Sequence, residues 1–353
     1  MVFLFPSRGM RFTTKLWKGG WMYHVGIIGM GSYVPERVLT NHDFERMVET
    51  SDKWIFERTG IRERRIASEE ETNVTMGRVA LEKAIENARI DPEEIEMLVV
   101  GTNTTEPMWP SAAGHIACLL KLKKNIPFFD LQAGCSGFIY SLATAELFVK
   151  SGQYRTVAVV GSDKLSAITN YEDRNTCVLF GDGAGAMVLQ RRAKEGIIRS
   201  YLGGEYRSRD TLVLRKNGEN GHRVMWMDGK RVYAFAKTAM VESCLRVLDP
   251  DGVASKKELG TLLDQVDKII PHQANARIIQ SAAETLERSL ATPDGAVKNK
   301  MVVTIEKYGN NSTASIPLAV DEFFREGKFR EGDLVILVGF GAGLTYGANL
   351  VRL

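Results

Sequence analysis

Pro127-Phe128-Phe129-Asp130-Leu131-Gln132-Ala133-Gly134-Cys135-Ser136-Gly137-Phe138-Ile139-Tyr140-Ser141-Leu142-Ala143 decides how this chain is read. A strand-like run, Pro127 to Leu131, passes through small residues into a helix-period run that continues to Lys150, which sets Cys135 on a strand-to-helix elbow. Ala133, Gly134 and Gly137 permit a tight turn and close approach by a substrate. The first turn of the following helix offers free N–H groups and positive potential, so a thiolate is expected to be favoured at Cys135. Cys118, Cys177 and Cys244 lack that setting and read as small hydrophobes.

Outward from the elbow, short apolar runs alternate with helical-period segments, the habit of an α/β protein with buried strands. Ile95 to Gly101 and Thr156 to Gly161 read as strands, and Thr75 to Ala88 as a helix. The second half repeats the pattern: a helix over Val232 to Leu248, a strand at Lys268 to Ile270, a helix over Asn275 to Leu290 and a strand at Asp333 to Val338. Phe180-Gly181-Asp182-Gly183-Ala184-Gly185 resembles Phe340-Gly341-Ala342-Gly343, and each closes one half. Two similar halves, residues 22–194 and 195–353, are therefore expected, with a site at their junction. Leu334 to Val351 has the length of a membrane span, yet its four glycines break it into two strand-like pieces, so it reads as buried sheet. Residues 1–21 contain Arg8, Arg11, Lys15 and Lys18 and no acid; they read as an extension outside the fold.

Composition narrows the class of function. The 353 residues are 44% hydrophobic and 25% charged, which excludes disorder as the main state. With 46 Lys+Arg against 43 Asp+Glu, the net charge of +3 is far from what nucleic-acid wrapping demands. The four cysteines stand 17, 42 and 67 positions apart, so no pair suggests zinc or a redox dithiol; no metal site is expected, and a reducing cytoplasm is the expected location.

Two further constellations could carry chemistry. Ile269-Ile270-Pro271-His272-Gln273-Ala274-Asn275 delivers a histidine from a strand just before a helix. His24, His42, His115 and His222 lack such surroundings. Tyr308-Gly309-Asn310-Asn311-Ser312-Thr313-Ala314-Ser315 is a polar turn entering a helix; capping accounts for one asparagine and leaves the other free to act. Cys with His and Asn also suits a cysteine hydrolase, but the aromatic residue two positions after a papain-like nucleophile is absent. The run Gly181-Asp182-Gly183-Ala184-Gly185 has no lysine to complete a phosphate loop.

Together, Asp130-Leu131-Gln132-Ala133-Gly134-Cys135-Ser136-Gly137-Phe138, Pro271-His272-Gln273-Ala274-Asn275 and Gly309-Asn310-Asn311-Ser312-Thr313-Ala314-Ser315 resemble the three catalytic motifs of β-ketoacyl-acyl-carrier-protein synthase III, in that family's order. The likeness runs from Thr50-Ser51-Asp52-Lys53-Trp54 to the carboxyl end. It implies a thiolase-like, five-layered αβαβα fold built from two similar halves, usually as a homodimer. The implied reaction is decarboxylative condensation of acetyl-CoA or another short acyl-CoA with malonyl-acyl carrier protein, initiating type II fatty acid synthesis. A related condensing or acyl-transfer enzyme of polyketide or secondary metabolism is the alternative. The resemblance assigns Cys135 as nucleophile, His272 and Asn310 as donors to the malonyl thioester oxygen, and the N–H groups of Cys135 and Ala342 as an oxyanion hole. Motif position favours Asn310 over Asn311. The resemblance also places Trp54 and Arg174 on the adenine of CoA, with Thr50, Arg58, Asn275 and Arg277 along its channel. Arg277 and Lys237 would dock the carrier protein, Lys237 standing in for a family lysine that aligns near Ala234. Trp109, before Pro110-Ser111-Ala112, would cross the dimer interface and close the acyl pocket. No cofactor, nucleic acid or membrane is implied beyond the substrates' own CoA and phosphopantetheine.

Overall fold

The computed structural model describes residues 23–105, 108–194, 196–206, 210–216, 223–290 and 292–353; the expected extension over 1–21 lies outside them. The first sheet is built from β1 (His24–Tyr33), β4 (Met97–Gly101), β5 (Phe128–Leu131), β6 (Thr156–Asp163) and β7 (Gly183–Arg192), while β2 (Val38–Thr40) and β3 (Glu63–Arg65) form a small ribbon. The second sheet takes β8 (Ile197–Gly204), β11 (Lys268–Pro271), β12 (Leu334–Gly341) and β13 (Thr345–Arg352), and β9 (Leu212–Lys216) pairs with β10 (Arg223–Met227) as a hairpin. The helices are α1 (Asn41–Glu45), α2 (Asp52–Thr59), α3 (Asn73–Ala88), α4 (Ala112–Leu119), α5 (Gly137–Lys150), α6 (Gly229–Leu248), α7 (Lys256–Asp264), α8 (Ala276–Leu290), α9 (Ile305–Tyr308) and α10 (Ser315–Arg325).

The two sheets repeat one plan. In the first, the order is β1-β7-β6-β4-β5; in the second, β8-β13-β12-β11. The β4–β6 and β11–β12 pairs are parallel, and β6–β7, β7–β1, β12–β13 and β13–β8 are antiparallel. The place of β5 is filled in the second sheet by a single bridge between Ile269 and Met301. The two glycine-rich stretches that looked alike lead into β7 and β13, which hold equivalent places.

Apolar cores fill the space between the layers, one of them on both sides of the central helices. Met76, Ala80 and Leu81 of α3 and Ile116 of α4 pack on Leu98, Val100 and Val160 of the first sheet. Phe138, Leu142 and Val149 of α5, with Ile316 and Val320 of α10, fill the space between the sheets against Val99, Val159, Val335 and Leu337. Phe235, Met240 and Val247 of α6, with Ile278 and Leu286 of α8, cover the outer face of the second sheet. Because both faces of each sheet are covered, β4 and β12 are buried throughout and read as unbroken apolar runs. Phe138, fully buried in the central layer, is a large share of that packing: Phe138→Ala costs about 3–5 kcal/mol. The two central helices, α5 and α10, begin immediately after Cys135 and the Asn310 turn, so the repeat brings those two segments to the middle of the molecule.

Candidate active site

The Cys135 elbow is shaped by close backbone approach. Gly134 has φ +55, and a Cβ there would lie 2.4 Å from the Ala342 amide nitrogen. A Cβ on Gly341 would lie 2.2 Å from the Cys135 nitrogen. The elbow and the Gly341–Gly343 loop therefore approach closely, backbone to backbone, around the Cys135 and Ala342 nitrogens. Side chains tie them further: Ser136 Oγ donates to Ala133 O (2.8 Å) and lies 2.9 Å from Thr345 Oγ1, which donates to Ala133 O (2.7 Å) and reaches Ala342 O (3.0 Å).

The thiolate expected from the helix terminus is not what the surroundings favour. Burial pushes the Cys135 thiol up to about 11 and the Asp163 charge acts the same way; a hydrogen bond with Ser312 and one with its own backbone oppose them. The resting group is a thiol. The other cysteines divide: Cys177 and Cys244 are buried, as expected of small hydrophobes, but Cys118 is exposed on α4.

His272 follows β11, its backbone N–H donating to Val338 O (2.8 Å). The ring is buried, with Phe340 edge-on at 5.3 Å, and burial pushes its pKa down to about 3, so it is neutral at physiological pH. Nδ1 lies 2.7 Å from Ser315 Oγ, a hydroxyl that also reaches Ser312 O (2.9 Å). The Nε2 edge is the one left for a ligand.

The two adjacent asparagines separate clearly. Asn310 is gripped by its backbone, N–H to Leu179 O (2.8 Å) and O from Gly181 N–H (3.0 Å). Its Oδ1 accepts from Ser312 N (2.8 Å), which leaves Nδ2 to donate into the cavity that the residue lines. Asn311 is fully buried and spends Nδ2 on Asp182 O (3.0 Å), a tether rather than a ligand group.

One cavity of about 1100 Å³ brings Cys135, His272 and Asn310 together with Trp54, Arg58, Asn275 and Arg277. Arg58 and Arg174 stack on the Trp54 ring, their guanidinium carbons 4.7 and 5.1 Å from its centre, and Arg174 donates to Glu49 O (2.7 Å). Asn275 is committed to structure, donating to Arg58 O (3.0 Å) and accepting from Arg277 N (2.8 Å) at the start of α8. Thr50 is outside the lining, its hydroxyl buried without a partner among the described residues. Lys237 is not brought to this cavity either; it lies in a separate groove of about 550 Å³ with Glu242, Arg246 and Asp249. Trp109 is 84% exposed.

Residues 129–205 match the family described as 3-oxoacyl-(acyl-carrier-protein (ACP)) synthase III, and residues 257–353 match its C-terminal counterpart. A Bacillus cereus protein named β-ketoacyl-(acyl-carrier-protein) synthase III 1 is 43% identical over 338 residues, spanning 93% of this chain and 99% of its own. The chain belongs to the β-ketoacyl-acyl-carrier-protein synthase III family. It is thus an acyltransferase of the condensing type with the expected thiolase-like, five-layered fold. The solved synthase III of Aquifex aeolicus is 42% identical with a TM-score of 0.83, covering 93% of this chain and all of that one. The priming β-ketosynthase of the R1128 polyketide pathway is more distant at 32% identity, with a TM-score of 0.86 over 96% of this chain and 98% of its own.

The β9–β10 hairpin escaped sequence reading, although Leu212, Met225, Trp226 and Met227 from it line the cavity. So did Asp163, whose signal was a polar Ser162-Asp163-Lys164 closing an otherwise apolar strand.

Proposed function

We infer that this protein condenses a short acyl-CoA, acetyl-CoA foremost, with malonyl-acyl carrier protein, releasing CoA and carbon dioxide and yielding 3-ketoacyl-acyl carrier protein, the step that starts fatty acid synthesis. The observation that carries the reading is the convergence of a thiol, a neutral imidazole and a free amide donor in one cavity beside a Trp54 platform flanked by two guanidinium groups. Relatives above 40% identity bear the synthase III name, while the polyketide enzyme stands at 32%, which favours fatty acid initiation over the alternative.

Cys135 Sγ attacks the primer's thioester carbon; the S–C bond to the enzyme forms, the bond to CoA breaks, and the thiol proton ends on the departing CoA sulfur. The amides of Cys135 and Ala342 hold the oxyanion in this step. Malonyl-carrier protein then enters. When the Ser315 hydroxyl turns its one proton from Ser312 O to Nδ1, His272 presents Nε2–H, and together with Asn310 Nδ2 it donates to the malonyl thioester oxygen. The carboxylate leaves as carbon dioxide, its bonding pair forms the enolate, and the enolate carbon attacks the acyl carbon, expelling Cys135 as a thiolate that takes a proton from water. Two neutral donors suit this step, because they stabilise negative charge only as it develops.

Trp54, Arg58 and Arg174 serve the adenine and phosphates of CoA. Arg277, in the cavity lining, is the better candidate for meeting an acidic carrier protein. The protein works as a homodimer in the cytoplasm and needs no cofactor. Exposed Phe128 on edge strand β5, with exposed Leu119 and Trp109, supports the dimer. Among the described residues no helix is long and apolar enough to cross a membrane. The experiment is product analysis: with acetyl-CoA and malonyl-carrier protein, mass spectrometry should find 3-ketobutyryl-carrier protein in stoichiometry with free CoA. Hydrolysis of acetyl-CoA without a carbon–carbon bond would refute the reading.

A further inference from the structure

Asp163, at the end of β6, has no task in the condensation as described, yet six donors converge on it in full burial. Its Oδ1 accepts from Thr102 Oγ1 (3.2 Å), Asn103 N (2.6 Å) and Thr104 Oγ1 (3.2 Å). Its Oδ2 accepts from Asn103 Nδ2 (3.2 Å), Thr313 N (3.2 Å) and Thr313 Oγ1 (2.8 Å). Neighbouring Lys164 turns its Nζ instead to Ser68 O and Glu71 O. A buried carboxylate held by neutral donors grips them strongly, since each bond is charge-assisted and none is replaced by water.

Those donors come from segments that touch both catalytic groups. Thr313 belongs to the turn that carries Asn310. Asn103 follows β4, and its Nδ2 also reaches Gly134 O (3.2 Å), beside Cys135, and Ser312 Oγ (3.2 Å), the hydroxyl bonded to the Cys135 thiol. Ser312 N in turn donates to Asn310 Oδ1. One carboxylate and one amide therefore connect the elbow of the first half to the turn of the second.

We propose that Asp163, acting through Asn103 and Ser312, is the positioning residue that holds the Cys135 thiol in register with the Asn310 amide. It touches no substrate, and its role rests on the assignments made under Proposed function. Its charge also adds to burial in keeping Cys135 a thiol, while His272 is neutral; the charged side chains of the cavity lining are Arg58, Asp173, Asp228, Lys230 and Arg277. Removing the charge should therefore make the thiol easier to ionise while making the site worse at condensation; a KM for acetyl-CoA held near the parental value separates this from a loosened fold, in which lost burial would ease ionisation as well.

The test uses Asp163→Asn and, in case that variant does not fold, Asn103→Ala, which leaves five of the six bonds to Asp163 in place. Both should lower kcat for condensation at least tenfold with KM for acetyl-CoA within about twofold, because Trp54 and Arg58 are untouched. In Asp163→Asn the midpoint of Cys135 alkylation should move to lower pH. A folded variant with parental kcat overturns the proposal, and so does a loss of kcat accompanied by a proportionate rise in KM. Cys135→Ala run in parallel separates the failures: condensation retained there refutes the nucleophile itself, whereas an inactive Cys135→Ala beside a normal Asn103→Ala refutes only the positioning role.

Discussion

Replacing Asn310 by aspartate separates the residue's two jobs. Its Oδ1 accepts from Ser312 N at 2.8 Å, and an aspartate oxygen keeps that bond and the shape of the turn. What changes is the other terminus, where a donor becomes an acceptor with negative charge. Loss of one donor from a site of this kind costs about 2.7–4 kcal/mol, a factor of roughly 10²–10³, and the added repulsion toward an enolate makes that a lower bound. Asn310→Asp should release labelled carbon dioxide from malonyl-carrier protein at least about 100-fold more slowly. Acetyl transfer from acetyl-CoA to Cys135 should stay within about threefold, since no enolate forms in that step. Asn311→Ala is the control: it strands Asp182 O in the interior and should cost about 1–3 kcal/mol of stability with kcat intact. Decarboxylation within tenfold of the parent in a folded Asn310→Asp, or a swap of the two phenotypes, would refute the reasoning.

At pH 7.5 iodoacetamide should reach exposed Cys118 before Cys135, and labelling of Cys135 should climb about tenfold per pH unit toward a midpoint about 11; mass-mapped labelling that starts at Cys135 would sink this. His272 stays neutral in the fold down to about 3, whereas the unfolded chain takes that proton near 6.5, so stability falls as pH drops through that window, by up to about 1.4 kcal/mol per pH unit. Denaturant midpoints from pH 7 to 4 should show the decline, and His272→Gln should flatten it. Gly341→Ala drives a Cβ to within 2.2 Å of the Cys135 nitrogen and should abolish acetyl transfer in a protein that still binds CoA. Trp109→Thr should admit longer acyl-CoA primers with acetyl transfer largely kept; an unchanged primer-length profile in an intact dimer would make Trp109 a packing residue only.

The α/β alternation was legible because burial on both faces leaves β4, β6 and β12 as unbroken apolar runs, and because α3, α5 and α8 keep helical period throughout, whereas the five layers were implied by the family resemblance. Boundaries were less so. The sixth helix was expected from Val232 but begins at Gly229, where Asp228 accepts from Lys230 N and Arg231 N; the cap preceded the apolar pattern that had been used to find the helix. Cys135, His272 and Asn310 were readable as residues in short motifs, and motif position favoured Asn310 over Asn311; which of the two amides the fold occupies was not readable there. Helix-terminus potential, which favours the thiolate, can be inferred from a sequence, while desolvation by residues from both halves, which pushes the thiol up, cannot. Lys237, one helical turn beyond Ala234, lines a different groove from the one that Ala234 lines, a difference that helical spacing alone does not reveal.

The central claim, that one cysteine carries the primer to a decarboxylated malonyl unit, is tested most directly by a two-stage labelling experiment. The protein is mixed with radiolabelled acetyl-CoA, quenched and digested, and a second portion is chased with malonyl-carrier protein. The account predicts acetyl label on the peptide that contains Cys135, then its complete transfer to 3-ketobutyryl-carrier protein as carbon dioxide appears. Label on another residue, or label on Cys135 that the chase leaves behind or releases as acetate, would contradict it.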